Sequence, residues 1–144
     1  MYEPIRTPSV HSTRTALAGT ASDFPHRSRE EELDIQLAGH LAALLTATDE
    51  LRALAPSADL DTAAERLAGE VSRLRGGRTP VRASAPAQGQ GGADLAVLHQ
   101  RAHALAGRAL VVAASRADTA AAILAAERMD AHAEAVEGRA LASR

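Results

Sequence analysis

The sequence predicts an all-α protein: an antiparallel four-helix bundle of two helical hairpins, joined by a Pro/Gly-rich crossover and preceded by an irregular N-terminal leader. One observation is the composition, since one Phe, one Tyr and no Trp, with few β-branched residues, favour helix over strand. A second is that apolar residues recur at spacings of three and four along four segments. A chain of 144 residues is also long enough to bury one core.

The leader is predicted to span residues 1–27, and the bundle domain residues 28–144. Pro4, Pro8, Gly19 and Pro25 interrupt any helical pattern in the leader, because proline removes a backbone donor and glycine favours turns. The leader also lacks the apolar stretch of about 7 to 15 residues that is typical of a secretory signal. We therefore expect a cytoplasmic protein.

The first helix is predicted at residues 28–55. Ser28 and Glu31 have the spacing of a capping box, in which each side chain bonds the other residue's backbone N–H. Pro56 ends the pattern, since proline cannot continue a helix. The leucines between them form a stripe too broad for a two-stranded coiled coil, so this helix needs neighbours on two sides. The stripe contains Leu33, Leu37, Leu41, Leu44, Leu45, Leu51 and Leu54.

The second helix is predicted at residues 58–75, with Ser57 before it as a cap and Gly76 and Gly77 after it as a stop. Its apolar positions repeat with the same spacing: Leu60, Ala64, Leu67, Val71 and Leu74. The short connection at Pro56 makes helices one and two an antiparallel hairpin. Residues 76–92, rich in Pro, Gly, Ser and Gln, are predicted to be a flexible crossover.

The third and fourth helices are predicted at residues 94–114 and 118–142. The apolar pattern of the third (Leu98, Ala102, Leu105, Ala109, Val112) does not continue in phase into the fourth (Ala122, Ala126, Met129, Ala133, Val136, Ala140). Continuing the third would bury Arg116, Asp130 and Glu137, so we expect a break. Ser115 and Asp118 can cap the next helix. Because no Gly or Pro lies between Arg108 and Glu137, one long helix stays an alternative.

A metal site is one candidate function of the second hairpin. His99 and His103 are four residues apart, which is the spacing that places two zinc ligands on one helical face. If the chain turns near Arg116, Asp130 and His132 return to the same level and supply the third and fourth ligands. In one long helix they would lie about 40 Å away, at 1.5 Å per residue.

Other charged groups are interpreted as surface. Glu127, Asp130, Glu134 and Glu137 form an acidic stripe on the fourth helix, which is typical of a solvated face. Arginines cluster near residues 73–82 without aromatic neighbours on which bases could stack, so no nucleic-acid partner is expected. No stretch has the roughly 18 apolar residues of a membrane span. No catalytic motif is visible, so the sequence favours a non-catalytic protein over an enzyme without a recognised motif, and no cofactor is predicted.

The favoured function is therefore non-catalytic: a helical bundle that works through self-association, as a homodimer, or through a protein partner. The interface is predicted around the turn between helices three and four, where apolar residues point in more directions than one core can bury. Small alanines nearby would let two helices approach closely. The predicted interface residues are Leu110, Val111, Val112, Ile123 and Leu124. The alternative function is a metal or small-ligand site that uses His99, His103, Asp130 and His132.

Overall fold

The computed structural model describes residues 27–82 and 92–142, and within these ranges the chain forms helices and no strand. The helices are α1 (Arg29–Leu54), α2 (Ala58–Leu74), α3 (Gly92–Arg116) and α4 (Thr119–Ala142). The all-α, four-helix prediction is confirmed. The predicted leader falls almost wholly on residues 1–26, outside the described residues. The chain divides into two units, residues 1–31 and 32–144, and the packing described below belongs to the second.

Both helices of the first hairpin begin with the side-chain caps that the sequence predicts. Ser28 Oγ accepts from the Glu31 N–H at 3.0 Å, and Glu31 Oε1 accepts from the Ser28 N–H at 2.9 Å. At α2, Ser57 Oγ accepts from the Leu60 N–H at 3.1 Å. These bonds satisfy backbone donors that have no partner in the first turn of a helix. The caps fix where α1 and α2 begin.

Ion pairs between helices define the topology. Arg73, in the last turn of α2, bonds Asp118 just before α4, whereas Arg128, further along α4, bonds Asp59 in the first turn of α2. Helices α2 and α4 are therefore antiparallel. Likewise Arg116 at the end of α3 bonds Asp34 near the start of α1 at 3.0 Å. With the two hairpins, every adjacent pair of helices runs antiparallel, and the long crossover joins α2 to α3.

The core is built on the leucine face of α1. Leu37, Leu41, Leu44, Leu45 and Leu51 are all fully buried there. A buried hydroxyl on the same face, Thr48 Oγ1, donates to the Leu44 carbonyl at 2.8 Å and so carries no unpaired donor. Helix α2 adds leucines and Val71, but α3 and α4 contribute mainly alanines: Ala102, Ala106, Ala109, Ala113, Ala121 and Ala125. The leucines of the first hairpin therefore supply most of the core volume.

The second hairpin turns at residues 117–118, so the single-long-helix alternative is wrong. Ala117 has a φ of 61°, a left-handed conformation that ends the helix. Asp118 then caps α4, its Oδ1 accepting from the Ala121 N–H at 3.2 Å. Burial opposes ionisation of Asp118, yet hydrogen bonds from Arg73 and Ala121 hold its pKa below the ordinary value. Ser115 does not cap, because its hydroxyl donates back to the Val111 carbonyl.

The predicted buried face of α4 is wrong, because the structure buries a neighbouring set of positions on the same helix. Ala122, Ala126 and Met129 are only half-buried, and Ala133 and Ala140 are exposed. The helix instead buries the adjacent positions Ala121, Leu124, Ala125, Arg128 and His132. Alanine lies on every side of α4, so it does not mark a face, and the face that is buried carries an arginine and a histidine.

The part of the crossover that the structure describes runs along α1. Arg82 donates two hydrogen bonds to the Asp49 carboxylate, from Nε at 2.8 Å and from Nη2 at 2.7 Å. This bidentate geometry is the strongest form of an arginine–carboxylate pair. The carboxylate of Asp49 also bonds Arg52. Residues 78–82 are therefore held against the bundle, and residues 83–91 lie outside the described range.

Replacing Ala117 by glycine is expected to stabilise the protein by about 0.5–1 kcal/mol, because a left-handed φ costs alanine roughly 1–2 kcal/mol and glycine almost nothing. The matched control is Ala104→Gly at an exposed position inside α3. There the same change is expected to destabilise by roughly 0.5–1 kcal/mol, since glycine is a poor helix former. Urea unfolding of both variants checks the signs, and a loss of stability in Ala117→Gly would contradict the assignment of the turn.

Candidate functional site

Two polar side chains occupy the buried face of α4. Arg128 is 4% exposed and His132 is 1% exposed. They are four residues apart, so they lie one turn apart on the same face, directly beyond the buried Leu124. Arg128 is not among the site residues predicted from the sequence. The sequence did contain a signal, since positions 128 and 132 follow the apolar Leu124 at intervals of four.

His132 contacts His99 of α3 across the hairpin. The two Nδ1 atoms are 2.9 Å apart, and the ring centroids are 5.2 Å apart with planes inclined at 46°. This is a hydrogen-bond distance, so one Nδ1 carries the proton and donates while the other accepts. When both imidazoles are neutral, they therefore take complementary tautomers. The pair is also the contact that the predicted hairpin geometry required.

Arg128 links this pair to the first turn of α2. Its guanidinium Nη1 lies 3.2 Å from Asp59 Oδ2. The carboxylate side chain is 69% exposed whereas that of Arg128 is 5% exposed, so the positive charge enters the protein and the negative charge stays near solvent. Among the residues that the structure describes, two buried nitrogens, Arg128 Nε and His132 Nε2, have no hydrogen-bond partner. Such groups cost free energy unless a further polar partner reaches them.

The surroundings keep both histidines uncharged. Burial, the positive charge of Arg128 and the neighbouring His99 lower the pKa of His132 to about 3. Burial, with the charges of Arg139 and Arg128, also lowers the pKa of His99. We call Arg128, His99 and His132 the α3–α4 polar cluster. Near neutral pH this cluster therefore carries one positive charge, on Arg128, beside two neutral imidazoles. A proton or a metal cation that enters the cluster is repelled by that guanidinium.

The structure assembles only half of the predicted metal site. It brings His99 and His132 together, but Asp130 is exposed on the outer side of α4. Residues 130 and 132 are about 200° apart around a helix, so they cannot both face His99. His103 is half-buried and lines a separate groove between α3 and α4. Within the described residues, no three His, Asp or Glu side chains are grouped as metal ligands. These four residues therefore do not converge on one point in this structure, and metal binding by the histidines stays a prediction.

The predicted interface residues divide into three groups. Val111 and Ile123 are exposed, at 65% and 51%. Leu110 and Val112 are half-buried and pack against the core. Leu124 is 2% exposed, so its assignment to an outward surface is wrong: it lies inside the bundle of its own chain. A charge at position 124 would therefore disrupt folding before it affected association.

Two shallow grooves flank Ile123. One, of about 380 Å³, lies between α3 and α4 at their turn and is lined largely by alanine, including Ala114, Ala122 and Ala126. The other, of about 360 Å³, lies between α2 and α4 and includes Gly69 and Ala120. The exposed branched side chain of Ile123 thus borders two concave surfaces, of which the one between α3 and α4 is lined mainly by small residues. This combination is characteristic of surfaces that pack against another helix.

The arginines near the end of α2 form ion pairs within the chain. Arg73 bonds Glu70 and Asp118, and Arg82 bonds Asp49.

Over the ranges 27–82 and 92–142, none of the helices is long and apolar enough to cross a bilayer. Comparison with protein-family models, curated proteins and solved structures finds no match.

We predict that His132 makes the stability of the protein depend on pH between 6.5 and 5. In the unfolded chain a histidine takes up a proton near pH 6.5, whereas folded His132 does so only near pH 3. The unfolded state thus binds more protons, and the free energy of unfolding falls as the pH falls. The loss from pH 6.5 to pH 5 is expected to be up to about 2 kcal/mol.

Urea unfolding at several pH values checks this dependence. His132→Leu is expected to remove most of the slope in that window, because no buried imidazole then has to be protonated. The control is His40→Gln, which removes a half-buried histidine of α1 and leaves the cluster intact. An unchanged slope in His132→Leu would refute the assignment.

Proposed function

We propose that this protein acts by self-association, as a homodimer of non-catalytic helical bundles that pair through α3 and α4. The observation that carries the proposal is the exposed aliphatic pair Val111 and Ile123, with Ile123 beside the alanine-lined groove between α3 and α4. Removing such side chains from water favours association by about 25 cal/mol for each Å² buried. A twofold pair is the commonest closed arrangement of identical chains.

Several features of the surface support this function. Val111 and Ile123 lie near the turn between α3 and α4, so they are close enough to belong to one contact. Alanine on both helices keeps the surface low, which lets a partner helix approach toward the ~8 Å end of the usual interaxial range. The core face of each helix is already filled within the chain, so burying the outer face on a partner does not require unfolding.

Sedimentation or light scattering at high micromolar concentration tests the proposal. The native protein is expected to be a dimer, and Ile123→Asp or Val111→Asp a monomer with unchanged helix content, because a buried unpaired charge costs several kcal/mol. The matched control is Val81→Asp, a charge placed at an aliphatic residue that is 90% exposed on the crossover. The control should remain a dimer. A monomeric native protein would overturn the proposal.

A second candidate function is the binding of a transition metal or a small ligand at the histidines of α3 and α4. It is supported by the 2.9 Å contact of His99 with His132 and by the unpaired Nε2 of His132. The positive Arg128 weighs against a cation there. Calorimetric titration with zinc and nickel, on protein prepared without an affinity tag, tests it: binding that is lost in His132→Gln supports the site, and the absence of heat removes it.

A further inference from the structure

One exposed stripe follows α3 along its outer side. Its members are spaced by four and three residues, so they form a single line on the helix, and each is exposed. Two valines lie toward its ends, with exposures of 59% and 65%, and two arginines lie between them. We call this stripe the basic rim: Val97, Arg101, Ala104, Arg108 and Val111.

A second exposed stripe follows α4 with the same spacing. Its ends are also aliphatic, Ile123 at 51% and Leu141 at 58% exposure, but the residues between them are carboxylates. We call this stripe the acidic rim: Ile123, Glu127, Asp130, Glu134, Glu137 and Leu141. The two rims therefore share one design, with aliphatic ends and charged centres, and they carry opposite charges.

The surface between the two rims is concave, because grooves run along it. It contains the alanine-lined groove near the turn and, toward the other end of the hairpin, a groove of about 430 Å³. Between them Met129 packs on Gly107, its Cε lying 3.7 Å from where a Cβ would be. The basic rim, the acidic rim and the grooves between them together form what we call the α3–α4 face.

The charges of the rims are largely unused within the chain. Over the described residues, Arg101 and Arg108 form no ion pair, and neither do Asp130, Glu134 and Glu137. Glu127 is the exception, since it bonds Arg66 of α2 at 2.7 Å. Several exposed arginines elsewhere on the bundle, such as Arg73 and Arg82, do have intrachain partners. The α3–α4 face thus offers both signs of charge to a partner.

We infer that a second copy of this chain covers the α3–α4 face, with the basic rim of each copy on the acidic rim of the other. The inference rests on the proposed self-association and adds its orientation. Helices α3 and α4 are antiparallel, and their contacts place His99 level with His132 and Gly107 level with Met129. Counting along the two helices from these contacts, Val111 lies level with Ile123. In the same way, Arg101 lies level with Glu134. A twofold axis parallel to the helices keeps these levels while exchanging the helices.

The resulting contact matches residue by residue. Val111 of one copy meets Ile123 of the other, and Arg101 meets Glu134, once on each side of the axis. Opposite charges across an interface select the partner and fix its register, whereas like charges would repel it. A face that carried only one sign of charge could not pair with itself in this way. The distribution of charge therefore points to a second copy as the occupant.

Charge reversal on each rim tests this arrangement. The basic-rim variant is Arg101→Glu with Arg108→Glu, and the acidic-rim variant is Asp130→Arg with Glu134→Arg. All four positions are exposed, and both residue types favour helix, so circular dichroism should be unchanged. Each variant alone places like charges on both contacts of its dimer. Its dimer dissociation constant should therefore rise at least tenfold, which corresponds to a loss of about 1.4 kcal/mol in the free energy of association.

The decisive sample is an equimolar mixture of the two variants. In a heterodimer of the two, both contacts again join opposite charges, so the mixture should return to dimer, and sedimentation at low salt measures this directly. If the native protein dimerises and the variants do so equally well, self-association stands and the orientation is wrong. If the variants are monomeric and the mixture does not pair, the charge matching is wrong. A monomeric native protein removes both proposals.

Discussion

Burial of the leucine face of α1 is the constraint on which the rest of the structure depends. Five leucines of one helix are fully buried, and a face that wide cannot be covered by a single neighbour. Helix α2 covers part of it with leucines and Val71, and α3 covers part with alanines. Each fully buried leucine contributes about 1.5–3 kcal/mol. The large side chains of the first hairpin therefore fill most of the core, and the second hairpin covers them.

This unequal division leaves the second hairpin with unusual freedom on both of its sides. Because α3 and α4 bury mainly alanine, their inner faces have room for polar groups, and His99, His132 and Arg128 occupy it. Because their outer faces are also mostly small, the exposed features that remain are a few aliphatic residues and two rows of charge. The same shortage of bulky residues thus produces the internal cluster and the external α3–α4 face.

Signals confined to one helix could be predicted from the sequence. The capping box at Ser28, the Ser57 cap and the turn at Gly76 and Gly77, which have φ of 71° and 92°, each depend on a few adjacent residues. The leucine spacing of α1 identified its buried face for the same reason. The approach of His99 to His132 followed from the hairpin, once the phase change between helices three and four had indicated a turn.

The features that failed depend on contacts between helices. Alanine surrounds α4, so periodicity could not decide between neighbouring phases, and this error placed Leu124 outside and left Arg128 unnoticed. A buried arginine is exceptional, and Arg128 is held by Asp59, which is far away in sequence. Asp130 was grouped with His132 by its level along the helix, but its direction around the helix differs. A hairpin predicts how far along the helix axis a residue lies. The direction in which its side chain points around the helix can be predicted only when large apolar residues identify the buried face.

The most direct test of pairing between two α3–α4 faces is a disulfide between two copies, because the chain has no native cysteine. Val111→Cys and Ile123→Cys chains are prepared separately, mixed in equal amounts and oxidised gently. If the α3–α4 faces pair as inferred, the product should be mainly the mixed disulfide, well above its statistical share, since position 111 of one copy lies against position 123 of the other. A statistical mixture, or equal cross-linking of a Val81→Cys control, would contradict the inferred pairing of the α3–α4 faces.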